Sequence, residues 1–228
     1  MRAQTKKPTP QMIDQITRHH IVPVAVIHDA ADAVPLAEAL CAGGLPIIEV
    51  PLRTPVALEA VRLIRRHLPQ MLVGVGTLMS ADQVSAAMAV GAQFGLSAGL
   101  NPDVVRAAQK AGLFFMPGVL TPTEIEVALG LGVRLLKFFP AGPVGGVPML
   151  NAIAAPYAHT GVQFVPLGGV NLDNMVDYLK LSSVPAIGGS WICDQALVRG
   201  KRWNEITQLT RAAVERAAGA KRAAGGAK

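Results

Sequence analysis

One repeating unit constrains this chain more than any other feature. A short aliphatic run is followed by a loop, then by an Ala-rich stretch that ends near a glycine. The runs fall at residues 22–27, 47–50, 71–75, 93–97, 113–116, 134–138, 162–165 and 184–187. Each is nearly all apolar rather than alternating, the pattern of strands covered on both faces. Residues 33–42, 56–67, 81–90 and 102–111 carry helix-type patterning. Gly43, Gly91, Gly112 and Gly132 stand where those helices should stop. Ser80 and Asn101 read as N-caps, Asn101 with Pro102 at the first helical position. Eight such units in 228 residues predict an α/β fold, a single-domain (β/α)₈ TIM barrel. The other architecture is an open doubly wound sheet. Its dinucleotide fingerprint is missing, because Gly74-Val75-Gly76 has no third glycine at the right spacing.

Composition limits the remaining choices. With 51% apolar residues and 4% aromatics, the core must be aliphatic. No apolar run is long enough to cross a bilayer. Residues 1–10 are polar, with Lys6 and Lys7, and lack the apolar stretch of a secretory signal. A cytoplasmic protein is expected. Residues 1–18 read as a lead-in with a short helix, 19–217 as the barrel, and 218–228 as a flexible low-complexity tail. Cys41 and Cys193 fit no metal or redox spacing and read as reduced thiols near packed elements. Much of the net charge of +6 lies at the ends, in Arg2, Lys6, Lys7, Lys221, Arg222 and Lys228. Without interleaved aromatics these read as solvated tails, not a nucleic-acid surface.

In such barrels the site forms at the carboxyl ends of the strands. Glu49 interrupts the second run, where a carboxylate is costly unless paired or functional. Arg53 follows just past the strand end, within reach of a carboxylate; a plain Glu49–Arg53 ion pair is an equal alternative. Lys137 lies in Leu135-Leu136-Lys137-Phe138-Phe139-Pro140. Burial disfavours an ammonium and favours the neutral amine, the form that attacks a carbonyl. The alternative is a lysine snorkelling from a strand end. Gly168-Gly169 follows the seventh run, and Gly188-Gly189-Ser190 the eighth, ahead of a short segment around Trp191. Paired glycine turns in these two loops suit a phosphate held on backbone N–H groups. Thr77 and Ser97 end the third and fourth runs and could line the pocket or cap helices. His19, His20, His67 and His159 read as surface residues, and no His, Asp or Glu cluster has metal-ligand spacing.

Together these motifs resemble the 2-keto-3-deoxy-6-phosphogluconate (KDPG) and 4-hydroxy-2-oxoglutarate (KHG) aldolases. They are Glu49-Val50-Pro51-Leu52-Arg53-Thr54, Gly74-Val75-Gly76-Thr77, Lys137-Phe138-Phe139-Pro140-Ala141, Gly168-Gly169-Val170 and Gly188-Gly189-Ser190-Trp191, in family order. The resemblance runs from about Val22 to Ala217. It implies a trimeric Schiff-base aldolase without metal or other cofactor, acting on a phosphorylated keto acid. Lys137 would form the Schiff base and Glu49 would move protons. Arg53 and Thr77 would hold the pyruvate carboxylate, and Gly168, Gly169, Gly189 and Ser190 the phosphate. Two positions depart from the family pattern. Ala98 stands where proline is usual. Leu167 stands where phosphogluconate enzymes carry threonine and phosphogalactonate enzymes an apolar residue. Cleavage of KHG, cleavage of the other C4 epimer, and a non-catalytic sugar-phosphate-binding barrel are the rival readings.

Overall fold

The computed structural model describes residues 10–225. Nine strands among them make eight parallel staves. β1 (Ile21–Pro23) pairs with β9 (Ile187–Gly189), and β2 (Ile47–Pro51), β3 (Leu72–Gly76), β4 (Phe94–Leu96) and β5 (Phe114–Met116) pair in sequence order. β6 (Gly118–Val119) extends the fifth stave past Pro117 and leads to β7 (Leu135–Phe138) and β8 (Gln163–Pro166). Pro117 has no N–H to give the ladder, but its carbonyl still accepts from the Lys137 N–H at 2.9 Å. A bridge between Val24 and Glu49 joins β1 to β2. The Phe164 N–H donates to the Ser183 carbonyl at 2.8 Å, just ahead of β9, and the chain folds as one (β/α)₈ barrel. The interior is aliphatic, with Phe94, Phe138 and Phe164 its largest fully buried side chains.

Two staves differ from their runs. The first ladder stops at Pro23, and Val24 to Ile27 continue as a loop at the barrel's carboxyl end. The last strand begins three residues late, because Pro185 cannot donate a ladder bond.

Among the described residues ten α-helices accompany the strands: α1 (Pro10–Thr17), α2 (Ala33–Ala42), α3 (Ala57–His67), α4 (Ala81–Ala89), α5 (Pro102–Ala111), α6 (Pro122–Gly130), α7 (Gly146–Ala154), α8 (Met175–Leu179), α9 (Gln195–Arg199) and α10 (Trp203–Gly225). Ser80 accepts from the Gln83 N–H and Asn101 from the Asp103 N–H, as N-caps do. Gly91, Gly112 and Gly132 take positive φ after their helices. Gly43 does not; its φ is −80° and the left-handed residue is Gly44. Gly43 is small for a different reason: a Cβ there would lie 2.4 Å from the Thr210 Cβ, so α10 packs directly on the end of α2.

That contact belongs to a long clamp. The Thr207 hydroxyl donates to the Ala39 carbonyl at 3.0 Å, and the Lys221 ammonium to the Val184 carbonyl at 2.6 Å. Residues 218–225, expected as tail, therefore continue α10: alanine is a strong helix former, and Ala217 and Ala220 are buried. The first nine residues of the lead-in and the last three of the tail, with Arg2, Lys6, Lys7 and Lys228, lie outside the described residues. No helix among the described residues is long and apolar enough to cross a membrane.

Candidate active site

β2 and β7 each carry one charged side chain in an otherwise apolar strand. Glu49 is 2% exposed and Lys137 4%. Both line one cavity of about 400 Å³, together with Arg53, Gly168, Gly189 and Ser190. These residues sit at or just past the carboxyl ends of β2, β7, β8 and β9. Parallel register brings them to one end of the barrel although they are far apart in sequence.

The room for the Glu49 carboxylate is made by its neighbour. Glu49 is in register with Gly74, and Gly76 follows on the same face of β3. A Cβ at Gly76 would lie 1.8 Å from Glu49 Oε1. The other oxygen, Oε2, is buried with no hydrogen-bond partner. Burial pushes the Glu49 carboxyl above the usual carboxylate range, while Lys137 and Arg53 pull it back. The Lys137 ammonium lies 4.9 Å from the centre of the Phe139 ring, a cation–π contact.

Glu49 and Arg53 do not form the ion pair that spacing allowed. Instead the Arg53 Nε donates to the Thr77 hydroxyl at 3.4 Å. Thr77 stands beside Arg53 but outside the cavity lining. Its φ of +60° puts a β-branched residue in the left-handed region, a strain of about 1–3 kcal/mol of the kind concentrated at functional sites.

The opposite pole is backbone. Gly168 and Gly169 have φ of +84° and +81°. Gly168 lines the cavity, whereas Gly169 backs onto Gly142, and its carbonyl accepts from the Asn174 amide at 2.8 Å. A Cβ at Gly189 would lie 2.3 Å from the Trp191 ring, so the indole packs flush against this turn. Ser97 takes no part in the cavity; its hydroxyl donates to the Gly99 carbonyl.

Several lining residues carry no signal in the sequence. Val24 and Val26 come from the loop after β1, and Cys193, Asp194 and Gln195 from the turn into α9. Burial pushes the Cys193 thiol up to about 12, so it is a neutral wall group. His19 and His20 are half-buried rather than on the surface, and the His20 ring Nδ1 is 2.8 Å from the Pro185 carbonyl. Among the described residues, no three His, Cys, Asp or Glu side chains gather where a metal could be held.

A family model described as KDPG and KHG aldolase matches residues 12–209. The chain belongs to the KDPG and KHG aldolase family. It is 39% identical to the 2-dehydro-3-deoxy-phosphogluconate aldolase of Haemophilus influenzae, over 91% of this chain and 97% of that one. It is 40% identical to the KHG/KDPG aldolase of Escherichia coli, over 88% and 93%. Among solved structures it matches the KDPG aldolase of Legionella pneumophila with a TM-score of 0.82 and 41% identity, covering 85% and 93% of the two chains. That aldolase was crystallised with pyruvate captured as a covalent carbinolamine intermediate.

Proposed function

We propose that this chain is a class I aldolase that cleaves KDPG to pyruvate and glyceraldehyde 3-phosphate through a Schiff base on Lys137. The observation that carries the reading is the burial of Lys137 and Glu49 on one cavity. Two buried ionisable groups facing a cavity are expensive for stability and are what proton and covalent chemistry require.

The Lys137 amine, its proton passed to Glu49, attacks the C2 carbonyl; the carbinolamine hydroxyl takes that proton back and leaves as water, giving an iminium. Glu49 takes the C4 hydroxyl proton, directly or through water. The C3–C4 electron pair flows into the iminium, releasing the aldehyde and leaving an enamine. Glu49 returns a proton to C3, and water hydrolyses the imine to release pyruvate and regenerate the amine. One group must accept and then donate, and a carboxyl whose hold on the proton is raised by burial suits both tasks. Arg53, with Thr77 behind it, holds the substrate carboxylate. Gly168, Gly189 and Ser190 offer backbone N–H groups to the phosphate, with Gly169 supporting the turn.

Leu167 favours a second substrate reading. It is buried in the cavity wall against Gly188 and gives a substrate hydroxyl no partner. KHG, or the phosphorylated acid with the opposite C4 configuration, loses less at such a wall. A non-catalytic sensor would have no use for a buried Lys137. The family resemblance further suggests a homotrimer. Retention of charged phosphorylated acids inside cells supports a cytoplasmic reaction.

Mass spectrometry after incubation with pyruvate and borohydride tests the mechanism, and pyruvate release from each of the three acids tests the substrate. An adduct on Lys137 with KDPG preferred is the expected result. No adduct on folded protein would remove the central claim.

A further inference from the structure

We propose that Arg199 is a specificity-determining cation at the mouth of the cavity that draws in and holds the phosphate end of the substrate. The proposal rests on the aldolase reading and concerns a residue outside the motifs that suggested it.

Charge is the starting point. The charged side chains lining the cavity are Arg53 and Lys137 against Glu49 and Asp194, so the formal total is close to zero. A phosphorylated keto acid brings one carboxylate and a phosphate of about −1.5 to −2. Lys137 is committed to the carbonyl and Arg53 to the carboxylate end. The phosphate pole otherwise offers neutral donors only, the turns at Gly168 and at Gly189-Ser190.

Arg199 stands beside the cavity mouth, on the helix α9 that follows the Gly189-Ser190 turn. Gln195, which lines the cavity, accepts from the Arg199 guanidinium at 3.2 Å. The same guanidinium nitrogen is 3.4 Å from His28 Nε2, on the loop after β1. Arg199 is thus tethered between the first and last loops of the barrel's open end. It is exposed, and among the described residues no carboxylate lies within ion-pair distance of it. The neighbouring Arg202 is committed, because it pairs with Glu205. A planar fork with most of its donors unused is suited to a phosphate. An exposed group of this kind steers a dianion and adds affinity that salt removes.

The test is binding of glycerol 3-phosphate to the full chain, followed by NMR titration at low and high ionic strength. Arg199→Gln should weaken binding about tenfold at low salt. Arg199→Lys should recover part of it, because the charge returns without the fork. The difference should shrink in ~1 M salt, where the Debye length is about 3 Å. Equal affinities of the three proteins at low salt would overturn the proposal. So would a loss in Arg199→Gln that salt leaves untouched, or failure of the unaltered chain to bind glycerol 3-phosphate. Borohydride trapping of pyruvate on the unaltered chain reads the aldolase proposal separately: no adduct condemns that reading, while the phosphate titration still decides Arg199.

Discussion

The two poles of the cavity are built from different materials. At one, Glu49 and Lys137 project from strand interiors, almost wholly buried, with little freedom to adjust. At the other, Gly168, Gly189 and Ser190 present main chain at the ends of turns, with Ser190, Asp194 and Gln195 exposed beside them. Bond-making chemistry needs ionisable groups taken out of water, where their electrostatics are strong. Holding a phosphate needs donors that are fixed in direction but can stay wet. The difference predicts that damage at the first pole falls on turnover and damage at the second falls on substrate affinity.

The largest effect should come from Lys137→Ala. Turnover should fall by on the order of 10⁵–10⁶-fold, and the pyruvate–borohydride adduct should vanish from the mass spectrum. Glu49→Gln comes next, with kcat reduced ~10²–10⁴-fold while the adduct with pyruvate still forms. Normal kcat in that variant would move the proton-transfer role to another group. Gly76→Ala probes the same pole without touching an ionisable group. Its methyl must displace the Glu49 carboxylate, and a misplacement of about 1 Å can cost ~10²-fold. An unchanged kcat would mean that Glu49 tolerates movement. At the other pole, Gly168→Ala strains a residue at φ +84° and crowds the Phe139 ring. KM for the phosphorylated acid should rise about tenfold, with kcat for KHG changed far less. A fall in kcat for both substrates would erase the division between the poles.

This division also governs which parts of the site are legible in the sequence. Glu49 and Lys137 were legible because a charge in an aliphatic strand is an anomaly that packing alone does not explain. The glycine turns were legible because they recur in two loops that a barrel brings together. Val24 and Val26 are cavity walls, yet in sequence they look like any core aliphatic, and Leu167 stands out only through the family resemblance. Gln195 and Arg199 look like surface residues of a helix. Thr77 gave no hint of its left-handed backbone, because β-branched residues rarely adopt it. Gly43 was placed correctly at a helix end for an incomplete reason: its smallness answers to Thr210, a contact that only the closed fold brings about. Residues 218–225 looked like tail because repetitive Ala and Gly resemble a linker, but an apolar face was waiting for them.

The smallest predicted effect is on stability, and it tests whether the pole proposed for catalysis costs the fold anything. Glu49 has its carboxyl raised by burial, and one oxygen has no partner. Below its unfolded value of 4.5 both the folded and unfolded chains hold the proton, so the group contributes no difference. As pH rises through 4.5 the unfolded chain ionises freely while the folded one resists. The unfolded state then binds fewer protons, and stability declines until the folded group ionises too. Glu49→Gln removes this penalty. Its Tm should match the parent near pH 4 and exceed it at pH 8 by about 2–4 °C, for a gain of ~1 kcal/mol. Calorimetry at fixed protein concentration across that range is the measurement. A variant that melts lower at pH 8 would show attraction to Lys137 and Arg53 outweighing desolvation. The buried pair would then hold the barrel together, and catalysis would draw no stability from the fold.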